Sequence, residues 1–187
     1  GCKVGNSEVS RPYAISSSPK AALGRKVALT VKKCGFFSGY LFDNAAIGDA
    51  FILGDPSGDF CYEPVKDAKH VVALAGGSGI TPFYSMAQAI ADGTDDYKLT
   101  IFYGAKTEHD LIFKREFDAL SSEKIKTIYV LSDEEKAGYE HGFIGAELLR
   151  KYVSGDFTVL MCGPQAMYEF AQKELNSLNL PLRRIKK

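Results

Sequence analysis

The stretch Val71–Met86, VVALAGGSGITPFYSM, decides how the chain is read. Five apolar residues run without interruption into Gly76-Gly77-Ser78-Gly79, and Thr81 and Pro82 follow. A continuous apolar run is the pattern of a strand buried on both faces. Proline at the first helical position, with threonine just before it, starts a helix. The glycines between let a backbone come close to a ligand. The new helix points its free N–H groups and partial positive charge at the same place, which suits a pyrophosphate. A tight strand–helix turn without a ligand is the plainer reading, and three glycines in four residues weigh against it.

Outward from this stretch the rhythm repeats. KLTIFYG (Lys98–Gly104), IKTIYVLS (Ile125–Ser132) and FTVLMCG (Phe157–Gly163) are apolar runs of strand length. Segments of helical character follow the four runs, at 81–93, 110–122, 145–153 and 164–178. Alternation of this kind predicts a doubly wound α/β domain over 67–187, and PLRRI (Pro181–Ile185) adds a fifth parallel strand. MCGP (Met161–Pro164) repeats the first motif: a strand ends at Cys162-Gly163 and Pro164 opens a helix. Ligands of open α/β sheets bind at such strand ends. The usual dinucleotide fingerprint is absent. Pro82 stands where its third glycine belongs, and the second strand ends at Lys106 rather than at an acid.

Residues 1–66 have a different texture. RKVALTVKKC (Arg25–Cys34) alternates at Val27, Leu29 and Val31, the period of a half-buried strand. DAFILGD (Asp49–Asp55) reads as a short strand before the turn PSG. SGYLFDNA reads as a two-turn helix with Ser38 as its N-cap. RPYAISSSP (Arg11–Pro19) has no amphipathic period; it sets a cation, an aromatic ring and a run of hydroxyls side by side.

Composition narrows the class. The chain has 187 residues, 23 basic and 23 acidic, and zero formal net charge. Such balance argues against a nucleic-acid or anionic-membrane binder held by bulk charge. No apolar run is long enough to span a membrane, and the N-terminus lacks the apolar core of a signal peptide. Cys2, Cys34, Cys61 and Cys162 are scattered with no CxxC spacing, so no metal ligand set is evident and reduced thiols in a cytoplasmic protein are expected. His70, His109 and His141 show no nucleophile spacing.

Taken in order, RPYAISSS, GFFSGYL, GDAFILGDPSGDF, AGGSGITP and MCGP resemble the motifs of the ferredoxin–NADP reductase superfamily, from about Val9 to Leu178. The resemblance implies a flavin-binding β-barrel over residues 1–66, here partial and antiparallel, and a nicotinamide-dinucleotide domain over 67–187. It implies that Arg11 pairs with the flavin nucleotide's phosphate and that Tyr13 packs on the ring. The motif's serine is Ala14, so the backbone of Ala14, Ile15 and Ser16, or a neighbouring hydroxyl, takes that place. Gly35, Phe37 and Ser38 match a second phosphate contact at a helix start. Gly76, Gly77, Gly79 and Thr81 line the dinucleotide, and Cys162, Gly163 and Pro164 lie beside its nicotinamide. Cys162, core filling when read alone, becomes a site residue with Tyr13 and Ala14.

Ser132 and Asp133 open SDEE, where phosphate-preferring relatives carry Ser-Arg. Carboxylates there disfavour a 2′-phosphate, so NADH is expected over NADPH; a merely solvated charged loop is the alternative. The implied reaction passes a hydride from NAD(P)H to FAD and then electrons to an iron–sulfur protein or domain, or to a small-molecule acceptor. The alternatives are a nucleotide-binding module whose truncated barrel holds no flavin, and a subunit of an electron-transfer complex without flavin chemistry. Arg11 stands almost at the start, whereas the family places this motif after several barrel strands. The missing strands are therefore expected from the rest of a longer chain or from a partner.

Overall fold

A computed structural model describes residues 1–178 and 180–187. The four apolar runs are all strands. They are β3 (His70–Gly76), β4 (Lys98–Ala105), β5 (Ile125–Leu131) and β7 (Thr158–Cys162). With β6 (Glu140–His141) and β8 (Ile185–Lys186) they form one six-stranded parallel sheet, ordered β6-β5-β4-β3-β7-β8. The expected sheet of five gains β6, a two-residue edge too short to show a period. Of PLRRI, only Ile185 joins the sheet, together with Lys186; Leu182–Arg184 is a 3-10 turn.

Helices α3 (Thr81–Ala91) and α4 (Lys114–Leu120) cover one face, and α5 (Ala146–Tyr152) and α6 (Gln165–Asn176) the other. Alternation along β3 assigns the faces. Val71, Ala73 and Ala75 pack with Phe83, Ala87 and Phe117, while Val72 and Leu74 pack with Leu149, Ala171 and Leu175. Two packed faces are why these strands read as unbroken apolar runs. From β3 the chain winds outward through β4 and β5, then returns to β7 on the other side. The switch point of the sheet therefore lies between the ends of β3 and β7.

The front of the chain is mostly irregular. β1 (Cys2–Val4) and β2 (Ser7–Val9) form an antiparallel hairpin, followed by α1 (Pro19–Leu23) and α2 (Phe36–Asn44). The strand expected over Arg25–Cys34 is reduced to one antiparallel bridge, Ile15 to Leu29. That expected over Asp49–Asp55 forms no ladder; Ile52 exchanges backbone bonds with Gly1 and its neighbours are unpaired. Alternating strands need a partner along their hydrogen-bonding edge, and among the described residues these find only single contacts, not a ladder. Their apolar side chains stay open, with Ile52 68% and Leu53 62% exposed.

Helix starts differ by a residue or a turn. Gly35 is the N-cap of α2, and Ser38 sits in its first turn, accepting from the N–H of Gly35 and of Cys34 at 3.0 Å each. Thr81 is itself the first residue of α3, after a 3-10 turn over Gly77–Ile80. Pro164 caps α6 rather than opening it. Helix α1 begins inside the serine run, with the hydroxyl of Ser18 accepting from Lys20 N–H. At the far end Lys186 Nζ joins β8 to the segment before β3, bonding Asp67 Oδ2 at 2.7 Å, Glu63 Oε1 at 3.1 Å and Cys61 O at 3.0 Å.

Candidate functional site

The two glycine loops meet at the switch point, and their glycines have different reasons to be there. A Cβ on Gly79 would lie 2.0 Å from Cys162 O, and one on Gly76 would lie 2.8 Å from both Met167 Sδ and Pro164 Cδ. A Cβ on Gly163 would meet Met167 Cε at 2.6 Å. These three are small because the loops press on each other. Gly77 differs: its φ is +52° and no atom lies within 4 Å of a Cβ built on it. It is the glycine with open space beside it, at the turn feeding the N-terminus of α3. Thr81 Oγ1 donates to Ser78 O at 3.1 Å, which fixes that turn.

A cleft of about 1130 Å³ runs between the front segment and this region. Arg11, Tyr13, Ala14 and Ile15 form one wall, with Phe37 behind them; Pro82, Ser85 and Met86 of α3, with Cys162 and Tyr168, form the other. Tyr13 lies near-parallel to Phe37, ring centroids 6.5 Å apart and planes at 27°. Ala14 and Ile15 are exposed on the cleft surface. The Arg11 guanidinium is exposed and, among the described residues, bonds only its neighbour's carbonyl, Ser10 O, at 2.7 Å. It is thus a cation near a cleft with no acidic partner among the described residues, able to take an anion.

The serine hydroxyls are engaged elsewhere. Ser16 Oγ donates to Ala28 O and shares a hydrogen bond with Thr30 Oγ1 at 2.9 Å. Ser17 Oγ accepts from Ala28 N–H at 3.0 Å, and Ser18 Oγ bonds Asp92. Ser38 Oγ is turned back on its own helix start and buried. The hydroxyls of the run are therefore largely spent on holding the segment in place, two of them against Ala28 and Thr30 and one against Asp92 at the C-cap of α3.

Burial pushes the Cys162 thiol above its ordinary range, and Tyr168 beside it pulls weakly the other way. A protonated thiol is a poor nucleophile. Cys162 therefore offers a small neutral wall to the cleft. Tyr168 OH accepts from Gly163 N–H at 3.4 Å and donates to Met161 O at 3.3 Å, holding the loop.

Ser132 and Asp133 lie apart from the cleft, beyond β5. Ser132 N–H donates to Ala105 O and Asp133 N–H to Lys106 O, both at 3.0 Å, so the SDEE loop is laid along the end of β4. Its carboxylates are not equivalent. Glu134 Oε2 accepts from Glu108 N–H at 2.9 Å, a structural cap. Asp133 accepts from Ser132 Oγ at 2.5 Å and remains exposed. Lys136 is paired with Glu108, leaving Lys106 as the exposed cation beside the loop. Among the described residues no cluster of three or more metal-ligating side chains occurs, the four cysteines are unpaired, and no helix is long and apolar enough to cross a membrane.

Residues 73–173, more than half of the chain, match the family model described as the oxidoreductase NAD-binding domain. The chain belongs to that family. Its core contains both glycine loops and the SDEE loop, and the resemblance to the ferredoxin–NADP reductase superfamily read from the motifs holds. NADH-cytochrome b5 reductase 1 of Dictyostelium discoideum is 34% identical over 171 residues, covering 88% of this chain and 59% of that protein. Nitrate reductase [NADH] of Cucurbita maxima is 32% identical over 163 residues, covering 78% of this chain and 18% of that protein. The chain thus spans less than two thirds of the curated relatives it matches. Among solved structures, the CS-b5R domains of human Ncb5or in the NAD+ form share the fold, with a TM-score of 0.75 at 22% identity over 98% of this chain and 57% of that one.

Proposed function

We propose that the chain is the catalytic core of a flavin-dependent NAD(P)H oxidoreductase, with FAD and NADH as its cofactors. Residues 1–66 would serve the flavin and 67–187 the dinucleotide. The observation that carries this reading is the cleft: the Arg11–Ile15 segment and Cys162 face each other across it, beside the switch point where an α/β sheet takes its ligand. The residues present fit both groups. Arg11 is an unpaired cation for a phosphate, Tyr13 an aromatic face for a flat ring, and Gly77 an open backbone at a helix N-terminus for a pyrophosphate.

Once bound, the two cofactors supply a hydride donor and a hydride acceptor. The chain's own work is placement. Tyr13, braced by Phe37, keeps one ring plane, and the protonated Cys162 with Gly163 and Pro164 borders the other without competing as a nucleophile. Gly76 and Gly79 keep the two loops in contact. Gly35 and Ser38 shape the start of α2 for a second phosphate, through backbone rather than hydroxyl. Ser16 acts through docking, so the place of the motif's missing serine at Ala14 falls to the backbone of Ala14 and Ile15. Asp133 favours NADH by accepting from a ribose hydroxyl and repelling a 2′-phosphate. Electrons pass on to a protein or small-molecule acceptor, for which the printed name of the cytochrome b5 reductase relative suggests a haem protein.

The test is the visible spectrum of the chain with FAD, before and after anaerobic NADH. A bound flavin that bleaches supports the reading. A chain that takes up NAD+ but no FAD supports instead the nucleotide-binding module, a reading favoured by the exposed Ile15, Phe51, Ile52 and Leu53 on the cleft wall.

A further inference from the structure

Helix α3 does two things at once. Its first residue leaves the Gly77–Ile80 turn, its outer side presents Ser85 and Gln88, and Asp92 is its C-cap. The spacing i, i+3, i+7 puts these three in one stripe. Between them they reach all three residues of the serine run. Gln88 Nε2 donates to Ser16 O at 2.8 Å, Ser85 Oγ donates to Ser17 O at 2.7 Å, and Asp92 accepts from Ser18 Oγ.

The run is also held from behind. Ser16 N–H donates to Ala28 O at 2.9 Å, and Ser17 Oγ accepts from Ala28 N–H. Ser16 and Ser18 are buried, at 3% and 9% exposure. Three bonds to three consecutive residues hold the segment against α3: two tie its main-chain carbonyls to the helix, and the third, from Ser18 Oγ to Asp92, needs a hydroxyl at that position and so sets the register. The residues just before the run, Tyr13 to Ile15, face the cleft, and so do Pro82 and Ser85 of the same helix.

We propose that Ser85, Gln88 and Asp92 are positioning residues: a rail on α3 that sets where Tyr13–Ile15 stand relative to the Gly77 turn, and so the offset between the two reacting rings. This rests on the reading of the cleft as the flavin and nicotinamide site. A rigid helix joins the two ends of the measurement, and a misplacement of about 1 Å can cost about a hundredfold in rate. A patch that merely adds adhesion would need neither consecutive partners nor main-chain acceptors.

The test uses the whole chain with Ser85→Ala, Gln88→Ala and the conservative Ser85→Thr and Asp92→Asn, which keep a hydroxyl and an acceptor. One arm needs no ligand. Gln88→Ala should speed hydrogen exchange of the Ser16 and Ala28 amides about tenfold, with β3 unchanged; unaltered exchange overturns the rail. The other arm mixes FAD-loaded chain with saturating NADH. Ser85→Ala and Gln88→Ala should slow flavin bleaching about tenfold, while NAD+ affinity by calorimetry stays level and Ser85→Thr recovers most of the rate. A wild-type bleaching rate, or a loss explained wholly by weaker NAD+ binding, overturns the inference. Should Gln88→Ala not fold, Gln88→Met keeps the length without the donors and is read in the same way. A wild-type chain that takes up no FAD defeats the flavin reading alone, and the exchange arm then decides the rail.

Discussion

The two regions of this chain solve the same problem in opposite ways. From β3 onward every strand has neighbours within the chain, and Val71, Ala73, Leu99, Ile101 and Leu160 are wholly or almost wholly out of water. In residues 1–66 comparable side chains stay in contact with solvent: Leu23 is 87% and Ile47 fully exposed. The difference does not lie in hydrophobicity. The parallel sheet carries its own cover, because each crossover brings a helix onto a face. Antiparallel segments with alternating patterns depend on whichever strand lies at their edge, and an edge left open is a site for pairing.

Substitutions can break this comparison. The largest effect is expected in the α/β region, where Phe83→Ala or Phe102→Ala removes a wholly buried ring and should cost about 4 kcal/mol in denaturant unfolding. Ile52→Ala, in the front region, should stay within about 0.5 kcal/mol. Equal losses at both places would mean that the front is packed in solution. Next comes Gly79→Ala, which sets a methyl against the Cys162 carbonyl and should cost about 3 kcal/mol, whereas Gly77→Ala should cost about 1 kcal/mol through its positive φ. Arg11→Ala should weaken FAD binding about tenfold or more by fluorescence titration, with NAD+ affinity unchanged; a parallel loss of both would tie Arg11 to the dinucleotide. Asp133→Ser should narrow the preference for NADH over NADPH about tenfold in kcat/KM.

The smallest effects concern protons. Burial raises the Asp118 carboxyl, but hydrogen bonds from Lys114 and Tyr129 and the charge of Lys114 outweigh it, leaving the group below its ordinary value. A depressed carboxyl stabilises the fold above the normal carboxylate range and loses that stabilisation as pH falls through and below it. Asp118→Asn should therefore flatten the acid limb of the stability profile and change little at pH 7 beyond about 1 kcal/mol. At mildly alkaline pH, alkylation should reach the exposed Cys34 and Cys61 before Cys162.

What could be read from the sequence follows the same division. Runs such as KLTIFYG and FTVLMCG were legible because their burial is decided by neighbours of their own kind. β6 was not, since two residues carry no period. Arg25–Cys34 and Asp49–Asp55 have the alternation of strands, yet pairing is a property of two segments and the pattern describes only one. The candidate site was legible as motifs and less so as roles. Gly76 and Gly79 look like ligand glycines in sequence, but only a three-dimensional neighbour reveals that they are small for Cys162, Met167 and Pro164. The hydroxyls of Ser16–Ser18 read as one run in sequence, and the partners they take, Ala28 and Thr30 behind and Asp92 at the end of α3, are visible only in three dimensions.

The Lys186 contact has a kinetic side. Its partner Asp67 has a fully buried side chain and lies 119 positions earlier. Closing so long a loop offers little return until the strands between are in place. The ammonium is therefore expected to reach Asp67 only after β7 has docked beside β3. On that expectation the Asp67 carboxylate keeps its water until β8 is in place, and its burial belongs to the closing of the sheet rather than to its nucleation.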